Sequence, residues 1–180
     1  MVSNGTNTTF SGSAATKAMQ EWYTMQDVLD TTNSVSSRSY GQLSKMDPAT
    51  IPVNAEGVYQ PTGLTGTFSA LSSGISLGGN DGFGLKNTSG KTKVFQFFGS
   101  IDMGISGAQD SIMGIKFALN GIPVDESECK AWSIQGKAGK LVTYWLFELE
   151  DGDDVSLYIA NFSNDIDFSF SRGRLVAQQV

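Results

Sequence analysis

The residue types that most often do chemistry are thinly represented in this chain, which has no histidine and one cysteine, Cys129. Histidine is the commonest general base and metal ligand near neutral pH, so its absence closes most routes to assisted nucleophilic attack and to zinc chemistry. A single cysteine excludes an intrachain disulfide framework and gives no reason to expect a reactive thiol. Gly74-Ile75-Ser76-Leu77-Gly78 has the spacing of a nucleophile elbow. The elbow, however, needs a strand-to-helix turn and a histidine to take the serine proton. Ser89-Gly90-Lys91-Thr92 looks like the end of a phosphate-binding loop, but Leu85 stands where the first glycine belongs. The run after Thr92 alternates like a strand, so the helix N-terminus that would hold phosphate is missing and the segment reads as a hairpin turn.

Carboxylates are the remaining candidates. Glu148, Glu150, Asp151, Asp153 and Asp154 form one acidic knot, and Asp125, Glu126 and Glu128 form another. Acidic turns can hold calcium, yet the order Asp-Gly-Asp-Asp does not match an EF-hand loop, and a solvated Asp-Gly turn is acidic for ordinary reasons. A glycosidase pair could be drawn from Glu148, Glu150 and Asp153, but any acidic surface offers such pairs. No catalytic residue, metal or cofactor is expected.

The elements that must position these residues are set by composition and pattern. A length of 180 residues allows one β-sandwich core plus an extension. A formal charge of −6 without a basic cluster argues against nucleic acid and anionic membranes as partners. Residues 1–16 carry neither charge nor an apolar run, so no secretion signal is expected, and no segment is apolar enough to span a bilayer. Sequons at Asn4, Asn7, Asn87 and Asn161 then read as accidents of a Ser/Thr-rich chain.

Residues 1–13 are mostly Ser, Thr, Asn and Gly, with little to bury. Ser13 can cap a helix from Ala14 to about Leu29, on which Ala15, Ala18, Trp22, Met25 and Leu29 share one face. That face packs either on the chain's own sandwich or on a partner or symmetry mate, such as a capsid, for which Trp22, Met25 and Leu29 are the candidate contacts. From Thr31 to Gly63 the chain is Ser-rich and holds Pro48, Pro52 and Pro61, which predicts an extended strap. The expected organisation is an arm over 1–63 and a sandwich over 64–180.

Beyond Gly63 the period changes to two. Phe95, Phe97, Ile101, Met103 and Ile105 alternate with Gln96, Ser100 and Asp102, and similar runs recur at 113–119, 155–159 and 166–170. Asn120-Gly121, 136–139, Asp151-Gly152 and Arg172-Gly173 read as turns between them. Short strands without intervening helices predict an antiparallel sandwich of jelly-roll type. In Leu141–Leu149, LVTYWLFEL, both faces are apolar: Leu141, Trp145, Phe147 and Leu149 lie on one, and Val142, Tyr144 and Leu146 on the other. Each face therefore needs a cover, one from the partner sheet and one from the arm, a loop or an adjacent subunit.

The sequence from Asn120-Gly121 through Trp132-Ser133-Ile134 and LVTYWLFELEDGDDVSLYIAN to FSFSRGRLVAQQV resembles the last strands of the tumour necrosis factor and complement globular-head jelly rolls. It is most similar to the versions carried by tailed-phage virion proteins, such as head fibres, decoration proteins and fibre tips. Its most telling element is Leu149-Glu150-Asp151-Gly152-Asp153-Asp154-Val155. The resemblance implies a homotrimer closed by an aromatic and aliphatic face around a threefold axis, with Tyr144, Leu146 and Tyr158 near it. It implies a non-enzymatic virion protein: a capsid decoration or cement protein on the outer shell, bound to the major capsid protein or another virion protein. The alternative is a receptor-binding or tail-fibre tip module that recognises a host glycan or protein.

Overall fold

The computed structural model describes residues 38–78, 83–107, 109–134 and 137–180. The helix expected over 14–29, with Trp22, Met25 and Leu29, lies outside the described residues. The described strands are β1 (Tyr40–Lys45), β2 (Ala49–Ile51), β3 (Gln60–Pro61), β4 (Thr67–Leu71), β5 (Ile75–Gly78), β6 (Gly84–Asn87), β7 (Lys93–Ile105), β8 (Ser111–Leu119), β9 (Ile122–Pro123), β10 (Cys129–Ser133), β11 (Gly139–Leu149), β12 (Asp154–Asn161) and β13 (Phe168–Gln179). A 3₁₀ turn, Asp125–Ser127, precedes β10. The strands form two antiparallel sheets. The first runs β11-β7-β13-β1-β4 with β2 beside β13, and the second runs β10-β8-β12-β6-β5 with β3 beside β12 and β9 beside β8.

The odd-numbered side chains of β7 and β11 turn inward, as their alternation dictates. Phe95 and Phe97 of β7, Phe117 of β8 and Phe147 of β11 meet between the sheets, with ring centroids 5.6–6.3 Å apart in edge-to-face contacts. Such contacts add to the burial of the rings themselves. Gly99 leaves room for this cluster: a Cβ there would lie 2.7 Å from Leu157 Cδ2 and 3.1 Å from Phe117 Cε1. β7 runs on through it as one continuous strand.

The acidic knot after β11 carries the chain from the first sheet to the second, and its conformation is fixed by amides. Asn87 is fully buried; its Nδ2 donates to the carbonyls of Lys91, Leu149 and Glu150 at 2.8, 3.0 and 3.1 Å. Asp153 accepts from Glu150 N and from Asn120 Nδ2, both at 2.8 Å, and Asp151 accepts from Gly90 N at 2.7 Å. These carboxylates are thus tied into the corner. Asn120 at φ 50° and Gly121 at φ 80° make the left-handed pair that an Asn-Gly hairpin turn requires.

Two sequence expectations are corrected. The strap predicted over 31–63 is sheet from Tyr40 onward. β1 sits between β13 and β4, Leu43 is wholly buried, and β2 and β3 add to the two sheets, so the sandwich takes in residues assigned to the arm. Proline misled because Pro48 and Pro52 flank β2 and Pro61 lies in a two-residue edge strand, where a missing N–H is tolerated. Arg172-Gly173 is not a turn. β13 continues through it, with a β-bulge between Phe170 and Arg172.

Candidate self-association face

The register of the first sheet lines up its outward side chains in rows. Tyr144 of β11 stands opposite Phe98 of β7, which stands opposite Val176 of β13. On one side of this row lie Leu146, Gln96 and Gln178, and beyond them Glu148 beside Val94. On the other side lie Val142, Ser100 and Arg174, then Lys140, Asp102 and Arg172. The middle of the outer face is therefore apolar and one end is cationic. Tyr144 is 68% exposed, Leu146 56%, and Phe98 and Val94 41% each.

The inner face of LVTYWLFEL is covered as expected, with Leu141, Phe147 and Leu149 buried. Its outer face is open among the described residues. Folded monomers rarely expose a contiguous group of large apolar side chains, and those that do use it for contact.

Of the residues expected to share an interface, the structure brings Tyr144 and Leu146 together and separates Tyr158 from them. Tyr158 lies in β12 of the second sheet, paired with Lys116 and Pro61, and only 7% of it is exposed. Its hydroxyl lies beside the Asn-Gly turn, where a Cβ on Gly121 would be 3.7 Å away. Phe98 and Val94 share the exposed face with Tyr144 and Leu146 instead. They could have been found from the sequence, since they share the parity of Gln96 and Ser100 on β7.

The outer face of the second sheet is closed by a polar clasp. Lys116 Nζ is nearly buried, 2.7 Å from Asp125 Oδ1 and 3.6 Å from Glu128 Oε1, and it rests 3.9 Å from the centre of the Tyr59 ring. Lys130 Nζ lies 3.0 Å from Glu128 Oε2 and 4.0 Å from the Phe162 ring centre. The hydrogen bond and charge of Lys116 hold the Asp125 carboxyl below the usual range. Partial burial opposes ionisation of Glu128, but Lys130 and Lys116 outweigh it and its pKa is also lowered. Burial, with the Glu128 charge, pushes the Tyr59 phenol up.

The sequence motifs for chemistry fall on structural positions. Ser76 lies in β5 with its hydroxyl donating to the Leu77 carbonyl at 3.2 Å, and 89–92 form the turn between β6 and β7. Asn87 and Asn161 are wholly buried with their amides engaged. Trp132 is 65% exposed on the edge strand β10.

No family model matches the sequence, and none of the curated proteins does. Among solved structures the chain is similar to murine APRIL in its crystal structure at pH 5.0, with a TM-score of 0.51, 13% identity, and coverage of 80% of this chain and 100% of that one. The fold is a jelly roll of the tumour-necrosis-factor kind. A weaker likeness, at a TM-score of 0.47 and 11% identity, is to the PRD1 vertex protein P5, covering 79% of this chain and 96% of that one. In this jelly roll, the open apolar rows belong to the sheet that contains the C-terminal strand β13.

Proposed function

We propose that this chain is a non-enzymatic virion structural protein that self-associates as a trimer and decorates the outer surface of a capsid. The observation that carries the assembly reading is the outward row Tyr144–Phe98–Val176, exposed at its two rings and half-buried at Val176, flanked by Leu146, Val142 and Val94. Burying it against copies of the same chain removes apolar surface from water, and a closed ring satisfies every copy. The virion setting is supported by the jelly-roll fold and by the resemblance of the C-terminal strands, with the family's turn at Leu149–Val155, to the versions carried by phage virion proteins. The polar N-terminal arm would attach to the major capsid protein or another virion protein, with weak contacts summed over the trimer.

Sedimentation equilibrium tests the first part: a mass of three chains is expected, and a stable monomer at micromolar concentration overturns it. Deleting residues 2–30 tests the second; loss of capsid attachment is expected, and retained occupancy overturns it. Copy number separates shell from tail, since tens to hundreds of trimers mean decoration and a few at one vertex mean a tail or fibre.

A second reading, a receptor-binding or fibre-tip module, is favoured by Trp132 and Ile134, 65% and 62% exposed near the edge of the second sheet. Exposed aromatic side chains suit a host glycan or protein surface. Specific binding on a glycan array, without any gain in capsid stability, would select it.

A further inference from the structure

The bulge in β13 has a chemical result. Before it, Phe168 and Phe170 face the core; after it, Gly173, Leu175 and Ala177 do. Core parity changes from even to odd because Ser171 is an extra residue in the strand. Strict alternation would have turned Arg172 and Arg174 inward with Phe170. The slip instead places both on the outer face, across Asp102 and Ser100 of β7 from Lys140 and Val142 of β11.

These three cations line a hollow of about 330 Å³, together with Asp102, Ser100, Phe98, Val142 and Met46. Two of the chain's three arginines are here, although the chain as a whole has 18 acidic and 12 basic residues. Asp102 Oδ2 accepts from Arg172 Nε, and its other oxygen is buried without a hydrogen-bond partner. Arg174 and Lys140 have no ion-pair partner among the described residues. The hollow thus carries three positive groups against one carboxylate. Guanidinium forks pair with oxyanions in a planar, two-point fashion, and an ammonium beside them adds a point charge.

We propose that this hollow is an oxyanion-binding site for a carboxylate or phosphate group, held by Arg174 and Lys140 with Arg172 alongside. One protomer defines it, so it stands apart from the assembly reading. Two sources fit the chemistry: a free multivalent anion, or an acidic side chain of a neighbouring copy, because the cationic end continues the apolar face.

The test is calorimetric titration of the full chain with inorganic pyrophosphate at low salt, alongside sedimentation of the same samples. Saturable binding is expected, weakened at least tenfold by Arg174→Gln or by Lys140→Gln and unchanged by Lys86→Gln on the other sheet. Both substitutions are at the surface, and an unchanged circular dichroism melt verifies the fold. If binding leaves the assembly mass unaltered, the natural occupant is a free anion. If pyrophosphate lowers the mass, or Arg174→Gln does so by itself, the occupant is a carboxylate of a second copy. Binding that is indifferent to both substitutions, or no binding with variant masses equal to wild type, overturns the site.

Discussion

Tyr144 and Phe98 are direct cross-strand partners on the outer face of the first sheet, and both rings are open to solvent. Neighbouring aromatic side chains on adjacent strands normally shield each other and are shielded by a further layer. Here that layer is absent among the described residues, so truncating these side chains separates assembly from folding.

Tyr144→Ser and Leu146→Ser are each expected to weaken self-association by about 2 kcal/mol, roughly thirtyfold, as central aromatic and aliphatic anchors do. Chain stability should change by no more than about 0.5 kcal/mol, because neither side chain is buried in the protomer. Sedimentation and denaturant unfolding of the same samples check both halves.

Phe97→Ala should destabilise the fold by about 3–5 kcal/mol, the usual effect of removing a fully buried aromatic ring. Phe97 touches the rings of Phe95, Phe117 and Phe147 across both sheets. Urea unfolding at a fixed chain concentration measures the loss.

Asn87→Ala should cost about 1–3 kcal/mol, since it leaves three buried or part-buried carbonyls short of a donor. Asn87→Asp is expected to be no better, because a carboxylate cannot donate to those carbonyls. A lowered unfolding midpoint in both variants is the readout.

The clasp around Lys116 makes stability fall at both ends of the pH scale. Asp125 and Glu128 have folded pKa values below their ordinary 3.8 and 4.5, so their contribution is present above those values and is lost as pH falls through the lowered ones. Tyr59 is raised above its ordinary 10.0, so its contribution is present below pH 10.0 and is lost as pH rises beyond it. Urea midpoints across pH should show the acid limb flattened in Lys116→Met and the alkaline limb flattened in Tyr59→Phe, each leaving the other limb in place.

Alternating side chains made β7, β8, β11 and β12 legible, along with the two-layer fold they build. β1 was hidden because its core side is partly filled by Gly41, where a Cβ would lie 2.6 Å from Ile75 Cγ2, so a strand position carries no apolar letter. Tyr144 and Leu146 were legible as an outward pair because their strand is apolar on both sides. Tyr158 was misplaced because β12 is also covered on both sides, and periodicity does not say which cover belongs to the protomer and which to a partner. The clasp escaped notice because cation and ring contacts between distant segments leave no local pattern.

Ser171 acts as a half-step in the rhythm of the last strand. Loss of that one residue would make Phe170 and Arg172 ordinary ladder neighbours, with both arginines still outside and Leu175 still inside, whereas one more residue gained beyond Arg172 would reverse inside and outside over the rest of the strand. The last strand is therefore built to lose a residue at Ser171 more easily than to gain one beyond Arg172.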